Sequence, residues 1–377
     1  MKSSGYRSLA AGTPEAEESL CRFSHLYKVL FLLVMAVLFV QYSSNVLLVR
    51  SPQALWVQSE VVYNVKASEV GVNGTPSDQS QIRYKPCSII REQLNDTNLT
   101  LCSNATVAGK CSLIPPRLIG RMKILEDDIS FEDLEALYHD VELGGKYRPY
   151  ECVARHKVAI IVPYRNREKH LRMLLHNLHP MLMRQQLDYE IFVVEQNGTF
   201  RFNRAKLMNI GYLEASKLND FGCFIFHDVD LIPEDDRNIY SCPANPRHMS
   251  VAVSTMKYKL PYVNIFGGVS ALSKAHMQKV NGFSNEFWGW GGEDDDMSSR
   301  IRYHNLKITR YPETIARYKM LSHKKDTPNP ERYRYLRRGR LRYKTDGINN
   351  CKYNVIKIVF KKLYTWILVD TLPPKKT

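Results

Sequence analysis

Between Val158 and His227 the chain alternates short apolar runs with amphipathic stretches, and this order restricts the possible fold more than any other feature. Val158-Ala159-Ile160-Ile161-Val162-Pro163 is an unbroken apolar run closed by proline, the pattern of a parallel strand buried on both faces. Residues 168–183 place Leu171, Leu174, Leu175 and Leu178 at helical spacing. The pattern predicts a second strand over 189–195, a second helix over 203–217 and a third strand over 223–227. That order implies an α/β domain around a mainly parallel sheet. Such sheets bind ligands beyond the carboxyl ends of their strands. Pro163-Tyr164-Arg165-Asn166-Arg167, Phe202-Asn203-Arg204 and Asp228-Val229-Asp230 all fall there.

The N-terminal part has another character. Residues 29–40 are all apolar, and the run continues with few interruptions through Val46-Leu47-Leu48-Val49, long enough to cross a bilayer. No small-residue cleavage site follows, as a signal peptide requires. Arg22 and Lys28 on one flank and Arg50 on the other give only a slight positive-inside bias. Sequons orient the chain better: Asn73, Asn95, Asn98, Asn104 and Asn197 each have Thr two residues on, and three crowd into 95–106. Cys87, Cys102, Cys111, Cys152, Cys223 and Cys242 form an even set suited to disulfides in an oxidising compartment. The expected organisation is a cytosolic tail over 1–28, a signal anchor over 29–49, a polar lumenal stem over 50–110 and a catalytic domain over 111–377.

Chemistry concentrates in Phe287-Trp288-Gly289-Trp290-Gly291-Gly292-Glu293-Asp294-Asp295-Asp296, four consecutive acids in a chain of net charge +15. Adjacent carboxylates repel and raise one another's pKa, so such a cluster needs a helix N-terminus, a metal or a hydroxyl-rich ligand to accommodate it. The tryptophans offer flat apolar faces and the glycines allow close backbone approach, a combination suited to a sugar. Asp228-Val229-Asp230, read as extended, projects two carboxylates to one side and suits a divalent cation bound to phosphate. Arg165, Arg167 and Arg204 suit a pyrophosphate. Met320 and His323, three apart, can face the same way, although Met is a soft donor for a hard cation. The basic run from Arg332 to Arg340 with its tyrosines is an attractor for a nucleotide or an anionic surface, or a solvated basic face. Nucleic acid is not expected as a partner of a lumenal chain.

Together and in order, the motifs at 163–167, 202–204, 228–230, Phe266-Gly267-Gly268-Val269-Ser270 and 288–296 resemble the β-1,4-galactosyltransferase family, including its invertebrate β-1,4-N-acetylgalactosaminyltransferase members. The resemblance spans about 111–370. It implies a GT-A fold with a Rossmann-like mixed sheet, and an inverting, Mn²⁺-dependent transfer from a UDP-sugar to the 4-hydroxyl of GlcNAc on a glycoprotein or glycolipid, in the Golgi. Asp230, Met320 and His323 would be the metal ligands. Pro163, Tyr164, Arg165, Arg167, Phe202, Asn203, Arg204, Val229, Asp230, Ile265 and Trp290 would line the donor site. Asp294 would be the general base, with Gly292, Glu293 and Asp295 placing the sugars and Arg332, Tyr333 and Leu336 surrounding the acceptor's N-acetyl group. Cys111–Cys152 and Cys223–Cys242 fit the family's two disulfides, which leaves Cys87, Cys102 and Cys351 without an assigned pairing. The basic segment containing Pro328-Asn329-Pro330 fits the loop that the family closes over bound donor.

Ile265 bears on the donor. Galactose-specific members resembling this chain have Tyr immediately before Phe-Gly-Gly-Val-Ser, and its hydroxyl restricts the space beside the donor's C2 group. Isoleucine leaves an apolar wall, and members with Ile or Leu there use UDP-GalNAc. The expected product is GalNAcβ1,4-GlcNAc, with some residual use of UDP-Gal. UDP-Gal as the main donor, a non-catalytic sugar-binding protein and a metal-dependent hydrolase are the alternatives.

Overall fold

The computed structural model describes residues 109–323 and 326–374. The tail, the anchor at 29–49, all but the end of the stem, the sequons at Asn73, Asn95, Asn98 and Asn104, and Cys87 and Cys102 lie outside the described residues. Among the described residues no helix is long and apolar enough to cross a membrane.

The chain enters through α1 (Phe131–Leu137), capped by the Ser130 hydroxyl, and the short β1 (Lys146–Tyr147). The predicted alternation follows as β2 (Lys157–Tyr164), α2 (Glu168–Arg184), β3 (Asp188–Gln196), α3 (Arg204–Leu218) and β4 (Cys223–His227). Next come β5 (Leu231–Pro233), β6 (Arg247–His248), β7 (Ala252–Val253), β8 (Val269–Ser273) and α4 (Lys274–Val280). The last elements are α5 (Glu293–Tyr303), β9 (Arg317–Met320), α6 (Arg332–Arg342), β10 (Asn354–Phe360) and β11 (Thr365–Asp370).

The main sheet has the order β10-β11-β3-β2-β4-β8-β6, with β1 also paired to β3. Its centre, β11-β3-β2-β4, is parallel, while β10, β8, β6 and β1 pair antiparallel. The mixed, GT-A-like α/β arrangement is therefore present. β2 displays its physical basis: Val158, Ile160 and Val162 pack into the core shared with α2, whereas Ala159 and Ile161 pack into the core shared with α3. A strand covered by helices on both faces is apolar at every position. Pro163 does not end β2 as predicted. Beyond Ile161 the strand is paired only with β3, the one-sided position at which proline is tolerated in a sheet.

Both disulfides are as the resemblance implies, Cys111–Cys152 near the point of entry and Cys223–Cys242 at the start of β4. Cys351 is a free thiol. A second sheet, β5-β9-β7, sets Leu231 opposite Met320 and so carries the segment after Asp230 alongside the one before His323.

Candidate active site

The carboxyl ends of β2, β3 and β4 lie along one edge of the sheet, where the order reverses from β3 on one side of β2 to β4 on the other. Arg165 follows β2; its guanidinium donates to the Phe200 carbonyl at 2.6 Å and lies 5.3 Å from the centre of the Phe202 ring. Arg167 sits just before α2. Asn203 is fully buried: its amide donates to the Asn285 carbonyl at 2.8 Å and its oxygen caps α3 through the Lys206 N–H. Its side chain therefore holds the floor of the site rather than facing a ligand. Pro163, Tyr164 and Val229 are likewise buried.

Asp228 and Asp230 occupy a turn closed by the Leu231 N–H bonding to the Asp228 carbonyl at 3.3 Å. This corrects the expectation of an extended segment with both carboxylates on one side. The turn sends them to different partners: Asp228 accepts from Arg204, whereas Asp230 Oδ2 lies 2.9 Å from His323 Nε2. Burial raises the pKa of both carboxyls, opposed at Asp228 by Arg204 and at Asp230 by His323. The Leu321 N–H donates to the Asp230 carbonyl at 2.8 Å, which keeps Met320 in the same corner. Among the described residues no three His, Cys, Asp or Glu side chains are grouped to hold a metal. The corner instead offers a carboxylate, an imidazole and a thioether.

Arg204 connects this corner to the acidic motif, since its Nη1 is 3.5 Å from Glu293 and its Nη2 donates to the Gly268 carbonyl at 3.1 Å. Burial opposes the guanidinium charge, but Asp228 and Glu293 outweigh it and raise the pKa.

The four acids form the first turn of α5, where backbone N–H groups and the helix dipole favour negative charge. Gly292 precedes them at φ 98°, a conformation that only glycine adopts readily. Helical geometry sends the four side chains in different directions. Asp296 turns inward to a completely buried Arg300 at 2.7 Å, which also donates to the Asp346 carbonyl at 2.6 Å. Glu293 faces Arg204, and burial, then repulsion by Asp294, pushes its pKa up to about 7. Asp295 accepts from the Tyr262 hydroxyl at 2.8 Å. Asp294 packs against Gly267 so closely that a Cβ there would lie 2.4 Å from its Oδ2, and burial followed by Asp295 raises its pKa.

The two tryptophans divide. Trp288 is buried in edge contact with Phe200 and does not offer a free face, contrary to expectation. Trp290 is 59 % exposed, and its carbonyl accepts from the Asn329 N–H at 3.0 Å. The expected lid segment thus pairs with the Trp290 loop, and Arg332 lies over the Trp290 ring at 5.9 Å. Tyr333 is exposed and Leu336 half-buried on α6.

Sequence reasoning missed the support behind Ile265. Arg310 donates to the carbonyls of Val263 and Ile265 at 2.8 and 2.7 Å and to His248 Nδ1 at 3.1 Å. Arginine cannot accept, so the His248 proton is on Nε2, which donates to the Gly267 carbonyl at 3.0 Å. Burial and then Arg310 push the His248 pKa down to about 3, which keeps the ring neutral. Tyr262, three residues before Ile265, was the one member of this group visible as a neighbour of a motif. His248 and Arg310 come from distant segments and carried no local mark.

The sequence is similar to those of known proteins. Residues 111–243 match the model described as the N-terminal region of glycosyl transferase group 7, and 247–324 that described as the N-terminal domain of galactosyltransferase. The chain is 46 % identical to β-1,4-galactosyltransferase 4 of Cricetulus griseus over 72 % of its own length and 81 % of the relative's. It is 47 % identical to β-1,4-galactosyltransferase 1 of Mus musculus over 74 % and 72 %. A solved structure of a Drosophila β-1,4-galactosyltransferase 7 mutant, in complex with manganese, UDP-Gal and xylobiose, is 30 % identical with a TM-score of 0.49, covering 57 % of this chain and 93 % of that one.

Proposed function

The chain belongs to the β-1,4-galactosyltransferase family, and on that premise we propose that it transfers N-acetylgalactosamine from UDP-GalNAc to the 4-hydroxyl of terminal GlcNAc with inversion. Ile265 carries the donor assignment. It is 8 % exposed, in a loop held by Arg310 and tied to the acidic helix through Tyr262 and Asp295. An isoleucine has no hydroxyl to engage an N-acetyl group unproductively, and it provides an apolar wall for the acetyl methyl. The names of the relatives favour UDP-Gal as the second reading.

Asp294, in the first turn of α5 and packed against Gly267, takes the proton from the acceptor hydroxyl as it attacks the anomeric carbon. A single displacement inverts that carbon. Trp290 offers its exposed face to a sugar, and the contact of its loop with the 328–329 segment restricts water. Arg165 and Arg167 attract the diphosphate, while Arg204 keeps the donor corner and the acidic turn in register. The Asp230–His323 pair with Met320 fits a Mn²⁺ ion, and those three residues would hold it. Bound there, it would neutralise charge on the departing UDP. The anchor, the sequons and the disulfides favour a type II orientation in the Golgi membrane with the catalytic domain lumenal.

The test replaces Ile265 with Tyr and compares UDP-GalNAc with UDP-Gal, using Mn²⁺ and a β-GlcNAc acceptor. A wild-type preference for GalNAc that moves toward Gal in the variant supports the donor assignment. A wild-type preference for Gal defeats that assignment and leaves the family intact.

A further inference from the structure

Helix α6 has the sequence Arg-Tyr-Arg-Tyr-Leu-Arg-Arg-Gly-Arg-Leu-Arg, six arginines in 11 residues. Arg332, Tyr335, Leu336 and Gly339 turn inward, whereas Arg334, Arg337, Arg338 and Arg340 are exposed. Arg334 pairs with Glu331 at 2.8 Å, and Arg340 has the Tyr303 ring at 5.1 Å. Among the described residues no carboxylate pairs with Arg337, Arg338 or Arg340.

The charge does not stabilise the helix. Arg334 and Arg338, and Arg338 and Arg342, are four apart, and Arg337 and Arg340 three apart, so each couple is a like-charge neighbour pair costing about 0.2–0.5 kcal/mol. Arg332 and Arg334 also sit at the end where the helix dipole disfavours cations. A helix loaded in this way gains from an anion bound on its outer face.

Position indicates which anion. The helix starts beside the Trp290 loop, with Arg332 Cδ 3.2 Å from where a Cβ on Gly291 would stand. At 1.5 Å per residue, Arg337 and Arg340 lie about 8 and about 12 Å further along the axis. An acceptor that binds beside Trp290 and runs along α6 would bring the sugars just inward of its terminal residue within that reach. The exposed cations of the helix are all arginine, whose planar fork matches oxyanions, rather than the mobile point charges of lysine.

We propose that α6 is an acceptor subsite for an oxyanion ester, sulfate or phosphate, carried by the glycan close to its terminal GlcNAc. The proposal rests on the acceptor site argued above. On this account the enzyme discriminates among GlcNAc-terminated glycans by the charge of the neighbouring sugar, through Arg337, Arg338 and Arg340.

The experiment uses the full-length, detergent-solubilised chain with UDP-GalNAc and Mn²⁺. It compares a neutral GlcNAc-terminated trisaccharide with the same saccharide sulfated or phosphorylated on the penultimate sugar. Wild type is expected to show about tenfold higher kcat/KM for a charged form, the size of one charge-assisted hydrogen bond, shrinking as salt is raised. Arg337→Gln with Arg338→Gln should abolish the difference and leave the neutral acceptor unchanged. Direct binding of the saccharides to the UDP-loaded chain gives a readout without turnover. Tighter binding of a charged form that the variant loses supports the subsite even where no sugar is transferred, and then the transfer reading alone fails. Equal treatment of neutral and charged saccharides, or a preference that survives in the variant, overturns the proposal. So does binding of α6 to anionic vesicles with no preference among acceptors.

Discussion

Asp294 and Glu293 share a turn in which burial holds both pKa values up, aided at Asp294 by Asp295 and at Glu293, raised to about 7, by Asp294. A general base must be unprotonated, so kcat/KM should rise with pH along an acid limb set by Asp294, displaced upward from the ordinary value of 3.8, and level off above it. Asp294→Asn should lower kcat by at least about 10²-fold without loss of fold, measured by donor turnover and circular dichroism. Asp295→Asn removes the charge that repels Asp294 and should move the acid limb of the profile to lower pH. Linkage gives Glu293 a stability signature. Its folded pKa lies above the ordinary value of 4.5, so the folded state binds the extra proton and loses stability as pH rises from about 4.5 to 7. Glu293→Gln should therefore be more stable than wild type at pH 8, by about 2 kcal/mol in urea unfolding. Gly267→Ala should leave the melting temperature nearly unchanged yet cut activity at least about tenfold, because the new Cβ displaces the Asp294 carboxylate. The acidic run was legible in the sequence as a site, being four like charges in a row. The different task of each acid was not, because helical rotation and partners from remote segments assign them.

At the scale of elements, the long strands and helices were readable because each covers a face of the core with a fixed period. β2 is apolar from Val158 to Pro163 and β4 from Cys223 to Phe226, and α2 repeats its leucines at helical spacing. The two- to four-residue strands β5, β7 and β9 have no period to read, and their pairing is fixed only by residues far apart in sequence. The Asp228–Asp230 turn was misread for a related reason, since the partners that split it, Arg204 and His323, arrive from elsewhere. Helix α5 is anchored by the Asp296–Arg300 pair, both side chains fully buried, and by Asp346. Asp296→Ala leaves a guanidinium buried without its nearest counter-charge and should cost about 3–5 kcal/mol, read as a shift in the urea midpoint.

Across the described residues, two cores on either side of one mixed sheet carry the Asp230–His323 corner and the acidic helix at a single edge. The alternation of apolar runs and helical spacing was sufficient to read an α/β domain with a parallel centre, while the mixed sheet was implied only by the family resemblance. The loop behind Ile265 was not readable, since it depends on a half-buried His248–Arg310 contact across 62 residues of sequence. Cys223–Cys242 closes the start of β4 against the segment leading to β6, and replacing both cysteines with alanine should lower stability by about 2–4 kcal/mol, measured by thermal unfolding under non-reducing conditions. The most direct test of the central claim is a competition. Equimolar UDP-GalNAc and UDP-Gal are given to the wild-type chain with Mn²⁺ and a β-GlcNAc acceptor, and the product is identified by NMR. The account predicts mainly GalNAcβ1,4-GlcNAc, with an anomeric coupling that reports inversion. Galβ1,4-GlcNAc as the main product would contradict the donor assignment, and free sugar, or an α-linked or non-1,4 disaccharide, would contradict the transfer itself.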